Sequence, residues 1–283
     1  MRPQNMLHIL HGYLSSDPAF SDDAFLNEWI SEVVETDDYG FEDGLLGLGW
    51  LICYLIQENY IQGDADEILT DIDDTIYKLA IKEVLAPEYD VKTLLYFVTY
   101  YQQRLHYASK EPFLRRFVHF ECMKLLLEKL NSFLLKNLED YSQQCINSRV
   151  SIILKYSYLT TTCVNEALVE EAFYSTTEQL ITFFEGQEEL AGFEHAVAKL
   201  YLCVQQYENP NWIERISPLY ATILQNSDRS KEPSDTQNFW MEICSYYPNP
   251  HPFLFTDHRS KEDLKDIFLY LTNIKFIKPE NIC

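Results

Sequence analysis

Histidines and cysteines are the first residues in this 283-residue chain whose chemistry could make a site. His119 and Cys122 stand three apart, which puts both on one face of a helix. His195 and Cys203 lie two turns apart on another helical stretch, and His251 and His258 flank a Pro-broken segment with Asp257. Zinc needs three or four such ligands converging in space. No CxxC, Cys–His or HExxH group supplies the local half of a site, so His119, Cys122 and His195 could form a metal site only by long-range convergence. The bland reading is buried thiols and partly exposed imidazoles.

Carboxylates are the second candidates. Glu42 with Asp43, and Glu188 with Glu189, are pairs of the kind a glycosidase uses, but adjacent acids carry little weight in a chain with 44 of them. The cluster Asp64, Asp66, Asp71, Asp73 and Asp74 fails as a calcium loop, because the positions needing Gly and Glu are Leu69 and Thr75. It reads as a solvated helix face. Gly44, Gly47 and Gly49 sit in one apolar run without the Lys–Ser/Thr ending of a phosphate loop, and no strand precedes them. Glycine costs about 1 kcal/mol against alanine inside a helix. Three of them there point to close backbone approach. Nucleophile motifs such as GxSxG and SxxK are absent.

The elements that must position these residues are helical. Ser21 or Asp22 can cap a helix whose Phe25, Leu26, Trp29, Ile30 and Val33 share one face. Asp43 can cap the next, which begins at Gly44 and runs to about Asn59. It is apolar nearly all round and therefore buried. Gly63 supplies a stop. Asp64 and Glu67 then form a capping-box arrangement for a helix with Ile68, Ile72, Ile76 and Leu79 in one stripe. Buried and amphipathic helices alternate along the chain. Inner helices are expected to start near 44, 92, 142 and 192, a period of about 50 residues that suggests stacked helix pairs. The polar stretch 226–238 reads as a loop. We expect a main domain over 1–225 and a C-terminal extension over 226–283 that packs on it.

Composition excludes several classes. The chain is 47% hydrophobic and 23% charged, a globular profile. Its net charge of −22 repels nucleic acid and anionic membrane and would attract a basic peptide. Seven dispersed cysteines suit free thiols in a reducing compartment rather than a disulfide framework. No signal peptide is read at the N-terminus, and the longest apolar run is too short to span a bilayer. A cytoplasmic location without membrane insertion is expected.

The stretch from Tyr39 to Leu79 resembles the lanthionine synthetase C-like family. The matching positions are Glu42, Gly44, Leu45, Gly47, Gly49, Trp50, Tyr54, Leu55, Ile56, Gln57, Gly63, Asp64, Glu67, Ile68, Leu69, Ile72 and Asp73. The following helix pair, to about Leu130, is compatible with the resemblance, and beyond residue 140 it is faint. It implies an all-α fold, an α/α toroid of inner and outer helices. The family's cyclases hold zinc through a Cys in a Trp–Cys–x–Gly element and through a Cys–His–Gly element. Here Leu51 follows Trp50, Ile213 follows Trp212, and no Cys precedes a His. The family's first glycine-marked helix pair is also not read in the N-terminal stretch, so the ring is expected to be short, open, or completed by the C-terminal segment or a second chain.

The resulting expectation is a non-catalytic or zinc-independent member with no cofactor. It would bind a precursor peptide or a maturation enzyme during ribosomal peptide maturation. Glu42, Asp43, Gly44, Gly47, Gly49 and Trp50 would serve packing or ligand contact at an inner-helix start. The alternative is an active enzyme on the same scaffold, with an unrecognised metal site or a carboxylate pair of glycosidase type.

Overall fold

The computed structural model describes residues 6–14, 24–35, 38–107, 113–162 and 164–227, together with Cys244 and Phe268. The proposed cap at Ser21 or Asp22, the group His251, Asp257 and His258, and nearly all of the 226–283 extension lie outside the described residues. Regular structure among the described residues is all helical. In order it comprises α1 (Met6–Leu14), α2 (Ala24–Glu35), α3 (Leu45–Gln57), α4 (Ala65–Ile68), α5 (Thr70–Leu85) and α6 (Val91–His106). Then come α7 (Phe113–Lys136), α8 (Gln143–Thr162), a 3-10 turn (Glu166–Leu168), α9 (Glu170–Glu185), α10 (Glu194–Tyr207) and α11 (Pro210–Ser227). The helices expected near 44, 92, 142 and 192 begin at residues 45, 91, 143 and 194. No described helix is long and apolar enough to cross a membrane.

The chain divides into two compact units, with the boundary after Leu126 inside α7. In the first unit α3 is the hub, packed by α1, α2, α5 and α6. It carries no charged residue, and everything from Leu46 to Ile56 is buried. Asp43 is not its cap. The N-cap is Gly44, without a side-chain bond. The preceding loop folds back instead, so that Leu45 donates its N–H to the Asp38 carbonyl at 3.0 Å and Gly47 to that of Gly40 at 3.4 Å. These carbonyls take orphan donors that a capping side chain would otherwise take. Gly63 is not the stop either. The helix ends at Gln57, and Asn59 adopts the left-handed conformation (φ 61°) that turns the chain away.

The helix expected from Asp64 is two. Asp64 caps α4 through its side chain, which accepts from the Asp66 N–H at 2.9 Å. The helix then breaks at Leu69, whose backbone leaves helical geometry (φ −93°, ψ 9°) before α5 begins. The break turns Ile68 outward and buries Ala65, Asp66, Leu69, Asp73, Ile76 and Ala80 along one face. In the second unit α8 lies against α10, with α9 on α8 and α11 on both α10 and α9.

Within the first unit α3 and α6, and within the second α8 and α10, are each joined by similar cross-links between residues about 50 apart. The Cys53 thiol donates to the Gln103 carbonyl at 3.8 Å, and the Cys203 thiol to the Ile153 carbonyl at 3.4 Å. Gln103 also donates to Gln57 at 2.9 Å, and Lys199 to Ser151 at 3.2 Å.

Candidate functional site

The densest polar constellation lies in the first unit, where α4, α5, α6 and α7 meet. Arg104 sits on the buried part of α6 and has a fully buried side chain. One of its terminal nitrogens donates to Asp66 at 2.6 Å and to Asp73 at 2.8 Å, while its Nε reaches Asp73 at 3.1 Å. Its other terminal nitrogen donates to the Cys53 sulfur at 3.8 Å. Tyr100, one turn earlier on α6, donates a short bond to Asp73. From α7, Arg115 donates to the Asp66 carbonyl and lies 3.7 Å from the Asp73 carboxylate. His119, one turn further, places Nε2 3.6 Å from Asp73. Cys122 follows on the same face, and its thiol and the His119 ring both lie against Tyr101.

Asp66 and Asp73 are therefore not part of a solvated face. Both are buried, and the physical reason is the buried guanidinium they share. Asp71 and Asp74 remain exposed on α5, as surface acids.

Electrostatics fix the protonation of this centre. Burial pulls the His119 imidazole down to about 4, against a weaker upward pull from Asp73. Burial pushes the Cys53 thiol up to about 11, with Arg104 only partly offsetting it. Burial, reinforced by Asp73, holds the Tyr100 phenol well above its ordinary value. Burial alone would weaken the Arg104 charge, but Tyr100 and Asp73 outweigh it and hold its pKa high. At neutral pH imidazole, thiol and phenol are uncharged, and two guanidinium groups face two carboxylates. Such a set can lock helices together. It offers neither a thiolate nor an imidazole able to switch near pH 7.

The residues singled out from sequence are distributed as follows. Gly44, Gly47 and Gly49 are buried at the start of α3. A methyl group on Gly47 would overlap the Phe41 carbonyl oxygen, and one on Gly49 would lie 2.6 Å from the Tyr100 ring. Trp50 is fully buried and stacks on Tyr54, with ring centroids 5.3 Å apart. Glu42 is half-buried and Asp43 exposed in the loop before α3. Glu188 and Glu189 are exposed between α9 and α10. His119 and Cys122 belong to the polar centre of the first unit, whereas His195 is half-buried in the first turn of α10 in the second. Among the described residues no three His, Cys, Asp or Glu side chains are grouped to hold a metal ion.

Sequence reasoning missed Asp66, Asp73, Tyr100, Arg104 and Arg115. A signal was present. Arg104 falls on a largely apolar helix, and a cation on a buried helix requires anions opposite it. Comparisons with protein-family models, with curated proteins and with solved structures return no match to this chain.

Proposed function

We propose that the chain is a lanthionine synthetase C-like helix-pair protein with an accessory role: it binds a precursor peptide or a maturation enzyme rather than closing thioether rings itself. The resemblance around α3 and the alternation of inner and outer helices support the ancestry. The observation that carries the accessory role is the closed polar centre. Its guanidinium and carboxylate charges balance, and burial holds His119 and Cys53 in their uncharged forms. A cyclase needs a site that activates a thiol at neutral pH, which these groups do not do. The net charge of −22 gives a precursor peptide with Lys or Arg a favourable approach.

Immobilised full-length protein, challenged with the peptides and enzymes encoded beside its gene, tests this reading. Retention of one of them, weakened by salt, is the expected result. Retention of none overturns it. Stoichiometric zinc in the purified protein, lost in His119→Ala or His195→Ala, would replace it with the catalytic alternative.

A further inference from the structure

Two arginines are buried among the described residues, Arg104 and Arg149. Every nitrogen of the Arg104 guanidinium has a partner. Arg149, on the second turn of α8 in the second unit, is held differently. It is 0% exposed, yet its Nε and Nη2 make no hydrogen bond, and among the described residues no carboxylate pairs with it. Only Nη1 is engaged, donating to the Asp140 carbonyl at 3.2 Å. The guanidinium carbon stands over Tyr141, 5.7 Å from the ring centroid. These two contacts fold the side chain back to the start of α8.

That placement is unfavourable in three ways. A buried guanidinium without a counter-charge has lost its hydration and gained nothing for it. Its two idle N–H groups forfeit their hydrogen bonds. The start of a 20-residue helix is its positive end and repels a cation. Burial lowers the Arg149 pKa, and the pull of Cys145, Tyr141 and Asp140 offsets only part of that. An arginine nevertheless keeps its proton. The Asp140 carboxylate attracts it without bonding to it, and accepts the Ser142 N–H at 2.9 Å instead.

A bound anion would relieve all three. Nε and Nη2 form the side-on fork of a guanidinium, whose parallel N–H bonds match the two oxygens of one carboxylate. Both are idle together. Charge narrows the ligand. A carboxylate brings a single charge, whereas the second charge of a phosphate is opposed by Asp140 and by a chain of net charge −22. The fork lies beside the surface, since Asp140, Tyr141, Gln143 and Gln144 are all exposed. The first N–H groups of α8 have no partner within the helix and face the same end.

We propose that Arg149 and the start of α8 form a binding site for a carboxylate, carried by a small organic acid or by the C-terminus of a peptide. The site stands on its own observation and is independent of the accessory role proposed above.

The test is an NMR titration of the full chain at constant ionic strength. It follows the Arg149 Nε–H resonance, assigned by its absence from Arg149→Lys, and the backbone N–H groups of Gln143 and Gln144. The probes are acetate, N-acetyl-trialanine, the C-terminal amide of that peptide, and phosphate. Acetate and the free-acid peptide are expected to saturate with a Kd of about 10 mM or tighter. The amide and phosphate should bind at least about tenfold more weakly. Arg149→Lys keeps a charge but loses the fork, and should weaken carboxylate binding at least about tenfold. Tighter binding of the peptide than of acetate identifies a peptide C-terminus as the source, and equal binding identifies a small acid. Without ligand, Arg149→Met should unfold in urea at a midpoint no lower than the parent, because it removes an unpaired buried charge. The proposal is overturned if no carboxylate saturates the shifts, if the amide or phosphate binds as well, or if Arg149→Lys binds like the parent. It is also overturned if Arg149→Met lowers the midpoint as far as Arg104→Met does, which would make the guanidinium a structural member already paired in the folded chain.

Discussion

Replacing Arg104 with methionine removes the guanidinium while keeping a stem of similar length. The structure sets the magnitude. Arg104 makes contacts of 2.6, 2.8 and 3.1 Å to two carboxylates, and all three side chains are nearly or fully removed from water. Breaking a buried ion pair by deleting one partner costs about 3–5 kcal/mol, because the remaining charge is left desolvated. Here two carboxylates share that fate, so the upper part of the range is expected. Urea unfolding should show a lower midpoint with an unchanged slope, and α6 amides should lose hydrogen-exchange protection.

The mechanism makes a second demand on the same variant: the loss comes from the carboxylates left behind, so neutralising them should relieve it. Adding Asp66→Asn and Asp73→Asn removes the stranded charges and should recover at least about half of the loss. The argument fails if Arg104→Met lies within about 1 kcal/mol of the parent, or if the triple variant is no more stable than the single one.

The His119 imidazole, held down at about 4 by burial, makes stability depend on pH. The unfolded imidazole takes up a proton near 6.5, so stability should fall between roughly 6.5 and 4, by about 3 kcal/mol in all. His119→Gln should flatten that part of a stability–pH profile, and an unchanged slope would show that His119 does not carry it. Gly47→Ala would gain about 1 kcal/mol from helix propensity alone. The Phe41 carbonyl opposes it, so chemical denaturation should show net destabilisation, with Gly186→Ala, whose new methyl meets nothing closer than 3.5 Å, as the mild control. Burial pushes the Cys53 thiol up to about 11 and the Cys244 thiol up to about 12. Both should resist iodoacetamide at pH 8 in the folded protein and react once it unfolds, which peptide mapping reads directly.

Much of the helical scaffold is written in local patterns. The run from Leu45 to Gln57 contains no charge, so it had to be buried. The spacing of about 50 residues between largely apolar stretches placed the starts of α3, α6, α8 and α10 close to where they lie. Helix ends were harder to read. Asp43 is a good capping residue by type, but loop carbonyls of Asp38 and Gly40 took its role through a fold-back that no local pattern encodes. The polar centre was hidden for a different reason. In a chain with 44 acids, Asp66 and Asp73 look like two more surface charges. Only their juxtaposition with Arg104, more than 30 residues away, makes them core residues. Long-range pairing of this kind has no periodicity to betray it.

That pairing also explains the surface of α7. Apolar contacts between helices tolerate sliding and rotation, whereas a buried guanidinium and its carboxylates are directional. Arg115 and His119 stand one turn apart on α7, and both engage the Asp66–Asp73 pair, Arg115 at the Asp66 carbonyl and both at the Asp73 carboxylate. They fix the rotation of the helix about its own axis. Once those two side chains face inward, the 3.6-residue period carries Leu114, Val118 and Leu125 around to the side turned away from the centre. An exposed apolar stripe is costly to keep, and an unconstrained helix with this sequence could roll to reduce it. The charges in the core of the first unit prevent that roll. The buried ion pairs and the exposed side chains of Leu114, Val118 and Leu125 are thus two consequences of one rotational setting.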